Sequence, residues 1–171
     1  MRSTLFAFAA LLLIGCTAEA EDTVNTPEPA LELTGRVVDA ADVLSPEFEE
    51  EMTKRLSRLE EETLVQLVVA TTPSLDGKPI AIYAMNLANA WGLGSAERND
   101  GLLVLVAPND RRVRIAVGLG LEETVTDEEA AVMMNEVILP AFGENDYEAG
   151  IRAAVESLAD EVTPYELKEA A

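Results

Sequence analysis

Two apolar runs limit the folds open to this chain. Leu64 to Thr71 (LVQLVVAT) and Leu102 to Ala107 are nearly continuous in hydrophobic residues. Such runs suit strands covered on both faces, as in the middle of a parallel sheet. Between them, Ile80, Tyr83, Ala84, Leu87, Ala88 and Trp91 recur at helical spacing, with Gly92 as the stop. A strand, a crossover helix and a second strand are therefore expected.

The flanks extend the pattern. Arg36 to Asp39 is a short strand ended by small and acidic residues. Ser45-Pro46 opens a helix, Ser as N-cap and Pro in the first turn, with Phe48, Met52, Leu56, Leu59 and Thr63 on one face. After the turn Pro108-Asn109-Asp110, Val113, Ile115 and Val117 alternate with Arg112, Arg114 and Ala116, as in a strand with one polar face. Gly118 to Val125 is expected as a loop. Thr126 and Glu129 form a capping box for a helix over Ala130, Met133, Met134, Val137 and Ile138, and Pro140 to Asn145 should break it. A last helix buries Tyr147, Ile151, Ala154, Val155 and Leu158. The predicted order is β-α-β-α-β-β-α-α, with one parallel crossover and one hairpin: an α/β domain of three-layer type on a small mixed sheet flanked by helices.

The first residues form an address. Arg2 precedes the apolar run Leu5 to Ile14, and Leu13-Ile14-Gly15-Cys16 resembles a bacterial lipobox. Residues 1–15 are then a lipoprotein signal peptide and Cys16 the lipidation site. Acyl chains contribute ~0.8 kcal/mol per buried CH₂, enough for several to hold the chain on a membrane. Residues 16–34 form an acidic, disordered tether, with five acids and two prolines between Thr17 and Thr34. The domain is expected over 35–162 and an acidic tail over 163–171.

Composition narrows the chemistry. The chain of 171 residues has 12 Lys+Arg, 32 Asp+Glu, no His and one Cys, a formal net charge of -20. Without His there is no Ser-His-Asp triad and no His-ligated zinc. A lone Cys16 excludes a disulfide and a cysteine phosphatase loop. The charge opposes nucleic acid, which is bound by neutralising phosphates. Gly118-Leu119-Gly120 lacks the third glycine of a dinucleotide fingerprint, where Glu123 stands, and Gly77-Lys78 lacks the rest of a P-loop.

Loop carboxylates remain. Asp39 and Asp42 follow the first strand, Asn99 and Asp100 precede the central one, and Glu122, Glu123 and Asp127 follow the hairpin. Hard oxygen donors of this kind suit Ca²⁺ or Mg²⁺. Singly they also suit turns and helix caps. Arg111, Arg112 and Arg114 are the one basic cluster, a solvated strand face or an anion site.

Read in order, VVDAADVLSPEFEEEM (37–52), the stretch 63–127 and LPAFGENDYEAGI (139–151) resemble the TPM domain family, which includes thylakoid-lumen proteins linked to photosystem II repair. WGLG, NDGLLVLVA, RIAVGLGLE and TD at these spacings carry the resemblance. It implies an α/β/α-type domain outside the cytoplasm, divalent-cation binding in some members and an acid phosphatase activity in plant relatives. On that basis Asp39, Asp100, Glu122 and Asp127 are the expected metal ligands, with Asp42 at a position where relatives often carry a small residue. Two functions follow as expectations: a lipid-anchored binding or assembly module of the bacterial cell envelope, periplasmic or on the surface, working with an envelope protein complex; or a metal-dependent phosphatase. The chain has neither a His nor a Cys nucleophile for the second, and metal-assisted hydrolysis through a carboxylate-bound ion survives these exclusions.

Overall fold

A computed structural model of the chain describes residues 30–163. The signal sequence, Cys16 and the tail from residue 164 lie outside the described residues. The elements are β1 (Val37–Asp39), α1 (Pro46–Thr63), β2 (Gln66–Thr71), α2 (Ile80–Trp91), β3 (Gly101–Ala107), β4 (Arg112–Val117), α3 (Asp127–Met133), α4 (Leu139–Gly143) and α5 (Tyr147–Val162).

The four strands form one mixed sheet in the order β1-β2-β3-β4. β1, β2 and β3 run parallel, and β4 returns antiparallel to β3. Two crossovers are present where one was expected. β1 is only three residues long, too short for its pairing to show in sequence, and α1 supplies its return path.

Alternate residues of the strands feed two cores. Leu67, Val69, Leu102, Val104, Val106 and Ile115 point to the layer of α1, α3 and α5, where Leu56, Leu59, Ile151 and Leu158 meet them. Val68, Ala70, Leu103, Leu105 and Ala107 point to α2, against Tyr83, Ala84 and Leu87. β3 is buried at all seven positions, as its unbroken apolar run requires. The α/β class with helices on both faces of a small mixed sheet is thus established.

Local signals account for most boundaries. Ser45 Oγ accepts from the Phe48 amide (3.3 Å) at the start of α1, and both arms of the Thr126–Glu129 capping box are present. Three expectations change. Leu64 closes α1 in the left-handed conformation (φ 62°) and is half exposed, so β2 starts at Gln66. Pro140 does not stop the chain's helical course: a π turn, Met134–Ile138, leads into α4, whose first turn tolerates the missing proline N–H. Gly118 to Val125 holds a single 3₁₀ turn, Leu119–Leu121.

Packing begins upstream of Gly35. Leu31 and Leu33 lie against the α2 core, and Trp91 Nε1 donates to the Leu31 carbonyl (2.9 Å).

Candidate functional site

The parallel strands give the sheet an amino end and a carboxyl end, and the motif residues divide between them. Asp39 is level with Thr71 at the carboxyl end, whereas Gln66 is level with Gly101 at the amino end. The separation along the strands is roughly 16 Å.

At the carboxyl end Asp39 is committed to its own loop. Its Oδ2 accepts from the amides of Val43 and Leu44 (2.8 Å each), and its Oδ1 accepts from Thr71 Oγ1. Thr71 Oγ1 accepts in turn from the Ala41 amide (2.9 Å). Asp42 is exposed in the left-handed conformation (φ 56°) that this tight turn requires.

At the amino end, WGLG, NDG and GLG come together as one knot of backbone. The Gly118 amide donates to the Gly101 carbonyl (2.8 Å), and the Gly120 amide donates to the Asn99 carbonyl (3.1 Å). A Cβ on Gly118 would lie 2.1 Å from the Asn99 carbonyl oxygen, and one on Gly120 would lie 1.8 Å from that of Arg98. These glycines let two stretches of backbone touch, leaving no cradle for a pyrophosphate. Asp100 sits inside the knot, fully buried. Its Oδ1 accepts from the Ser95 amide (2.7 Å), and its Oδ2 accepts from Arg98 Nε. Gln66 Oε1 accepts from the Gly94 amide (2.7 Å), a contact with no motif to announce it.

Glu122 and Asp127 are exposed on the same side of this end. Arg114, projecting from β4 toward the α2 layer, lies 3.6 Å from Asp127. At the start of α3 the Thr126 amide and hydroxyl hold the Glu129 carboxyl below its ordinary value.

The four expected ligands therefore do not meet. Asp39 is at the far end of the sheet, Asp100 is sealed within the knot, and only Glu122 and Asp127 share a surface. Among the described residues no group of three or more His, Cys, Asp or Glu could hold a metal ion. A Ca²⁺ or Mg²⁺ site of the expected composition does not fit this donor set, because a cation needs several oxygens converging within about 2.6 Å. The sequence motifs mark turn chemistry, and a turn clamped by a carboxylate looks the same in sequence as a ligand loop.

What this end does present is a groove of about 730 Å³ between α2, β4 and the loop before α3. Arg114, Glu122, Asp127 and Asn99 line its polar side, and Ile82, Met85 and Leu119 its apolar side. Ile82 is 46% exposed, Met85 50% and Leu119 73%. Ile82, Met85 and Asn89 recur every three or four residues along one stripe of α2, opposite the buried Tyr83, Ala84 and Leu87. Sequence reasoning missed Ile82 and Met85. The signal was present: IAIYAMNLANAW is apolar on nearly every side, which a helix with one solvated face does not require.

The basic cluster is divided as well. Arg114 belongs to this groove, whereas Arg111 and Arg112 line a separate hollow at the opposite end. No helix among the described residues is long and apolar enough to cross a membrane.

Comparison with known proteins agrees with this architecture. The N-terminal domain of a P. gingivalis protein is similar at 30% identity over 77% of this chain and 84% of that one, with a TM-score of 0.71. The N-terminal domain of a Corynebacterium glutamicum protein matches at 18% identity over 80% and 84%, TM-score 0.60. The BA42 protein of the psychrophilic Bizionia argentinensis matches at 19% identity over 71% and 83%, TM-score 0.63. The last two likenesses are of fold. No curated protein matches the sequence. The family model of the TPM domain matches residues 37–161, the span from β1 into the last turn of α5. The chain belongs to the TPM domain family.

Proposed function

We propose that this TPM domain is a binding module of the bacterial cell envelope, tethered to a membrane through lipidated Cys16, which engages a partner through the α2–β4 groove. The single observation that carries the reading is the half-exposed stripe of Ile82 and Met85 beside Leu119, rimmed by Arg114, Glu122 and Asp127. Apolar side chains grouped within a polar rim are the usual mark of an interaction surface. The phosphatase reading takes second place, because its metal would need Asp39 and Asp100 in one site, and both are engaged by their own loops at opposite ends of the sheet.

A photo-crosslinking residue at Met85, in cells carrying the native envelope, tests the groove against the same residue at Lys54, exposed on α1. The expected result is a discrete crosslinked product from position 85 alone. Identical products from both positions, or none from position 85, would overturn the groove. Cys16→Ser tests the tether: the protein should leave the membrane fraction or keep its signal peptide.

A further inference from the structure

Arg111 and Arg112 stand at the carboxyl end of the sheet, away from the groove. In a chain with 12 bases against 32 acids, neither side chain forms an ion pair or hydrogen bond among the described residues. Of the acids nearest the hollow's lining residues in sequence, Asp110 Oδ2 accepts from the Leu75 amide (3.1 Å), Asp146 Oδ1 from the Ala149 amide (3.0 Å) and Glu148 Oε1 from the Ser45 amide (2.8 Å). Glu144, between Gly143 and Asn145, is exposed and forms no ion pair with either arginine. Arg111 also holds a left-handed backbone (φ 52°), which Asn or Gly would adopt with less strain.

Both arginines line a hollow of about 320 Å³ beside Pro108. Its opposite wall is aromatic. The rings of Phe142 and Tyr147 lie 5.1 Å apart, tilted by 54°, and Leu139 is 38% exposed at the edge. The fold makes specific provision for this wall. The π turn Met134–Ile138 leads directly into α4, and a Cβ at Gly150 would strike Phe142 Cε1 at 2.6 Å, so glycine is what lets that ring lie on α5. The hollow opens past the end of β3, at the carboxyl end of the parallel strands.

We propose that this hollow binds a small organic acid: a flat or branched apolar body carrying one carboxylate. The rings and Leu139 would take the body, and Arg111 and Arg112 the anion. The size is near the lower limit of ligand pockets. A single negative charge is favoured over a dianion because the field of a chain at -20 opposes each added charge.

The probe is N-acetylphenylalanine, titrated into the ¹⁵N-labelled full chain and followed by amide shifts. Acetate, which lacks the ring, and N-acetylphenylalaninamide, which lacks the charge, serve as controls. Saturable shifts are expected over residues 107–112 and 139–147 with the acid, and none with either control. Arg111→Asn, which keeps a residue type at ease in the left-handed conformation, should weaken binding about tenfold. If that variant fails to fold, Arg112→Gln carries the same expectation. No saturable shift, equal binding of the amide, shifts centred on the α2–β4 groove, or unchanged affinity in a folded arginine variant would each overturn the proposal.

Discussion

The two ends of the sheet use the same residue types for different ends. At the carboxyl end, Asp39 is half-buried, closes its short loop through the amides of Val43 and Leu44, and ties it to β2 through Thr71 Oγ1. At the amino end, Asp100 is fully buried and accepts from Ser95 and Arg98 of its own loop. The backbone on either side of it joins distant segments: the Asn99 carbonyl accepts from Gly120 and the Gly101 carbonyl from Gly118. A carboxylate in a motif thus has a consequence set by its surroundings. A half-buried loop closed by neutral donors survives disturbance, whereas a buried charge pair inside a junction of three segments does not.

The largest expected effect is at the junction. Gly120→Ala forces a methyl to 1.8 Å from the Arg98 carbonyl oxygen, and backbone cannot step aside as a flexible side chain would. Overpacking of this kind should cost about 3 kcal/mol or more, read as a fall in the urea midpoint or as failure to fold. Gly143→Ala, with nothing within 4 Å of the added Cβ, should change stability by less than ~0.5 kcal/mol. Similar costs at both positions would break the contrast between the ends.

Asp100→Ala and Asp39→Ala sharpen it. Removing Asp100 leaves the Ser95 amide without its acceptor and Arg98 without its buried carboxylate, an expected loss of about 3 kcal/mol. Asp39→Ala frees the amides of Val43 and Leu44 and the buried hydroxyl of Thr71 but strands no counter-charge, and should cost about 1–2 kcal/mol. Denaturant unfolding of both variants checks the order, and the reverse order would contradict the account.

The smallest effect is a pH dependence near the groove. The Thr126 amide and hydroxyl hold the Glu129 carboxyl below its ordinary value of 4.5. A carboxyl lowered in the folded state stabilises it above the unfolded value, and that contribution is lost as pH falls through the folded value. Glu129→Gln should therefore flatten the acid limb of a stability–pH curve slightly below about pH 4.5 while leaving the neutral plateau nearly in place. An unchanged acid limb would mean that the capping box does not couple to folding.

Much of the fold was legible because it rests on period and caps. The face Phe48, Met52, Leu56, Leu59 and Thr63 is buried as spaced, and the burial of β3 follows from its composition. The site was less legible. Asp39, Asp100, Glu122 and Asp127 are adjacent in motif logic, but strand direction alone decides which end of the sheet each occupies, and β1 was too short to declare its direction. Gln66 and Arg98 act through long-range contacts that no spacing encodes. Ile82 and Met85 are legible as an excess of apolar residues on α2 beyond what its buried face of Tyr83, Ala84 and Leu87 requires.

The central claim is that the sheet separates Asp39 from Asp100, so no single cation can engage both. Titration of the ¹⁵N-labelled chain with CaCl₂, against NaCl at equal ionic strength, tests it through the amides that these carboxylates accept from: Val43 and Leu44 at one end, Ser95 at the other. The account predicts no Ca²⁺-specific transition shared by the two sets. Shifts of Val43, Leu44 and Ser95 on one saturating isotherm, removed together by Asp39→Asn or by Asp100→Asn, would contradict it.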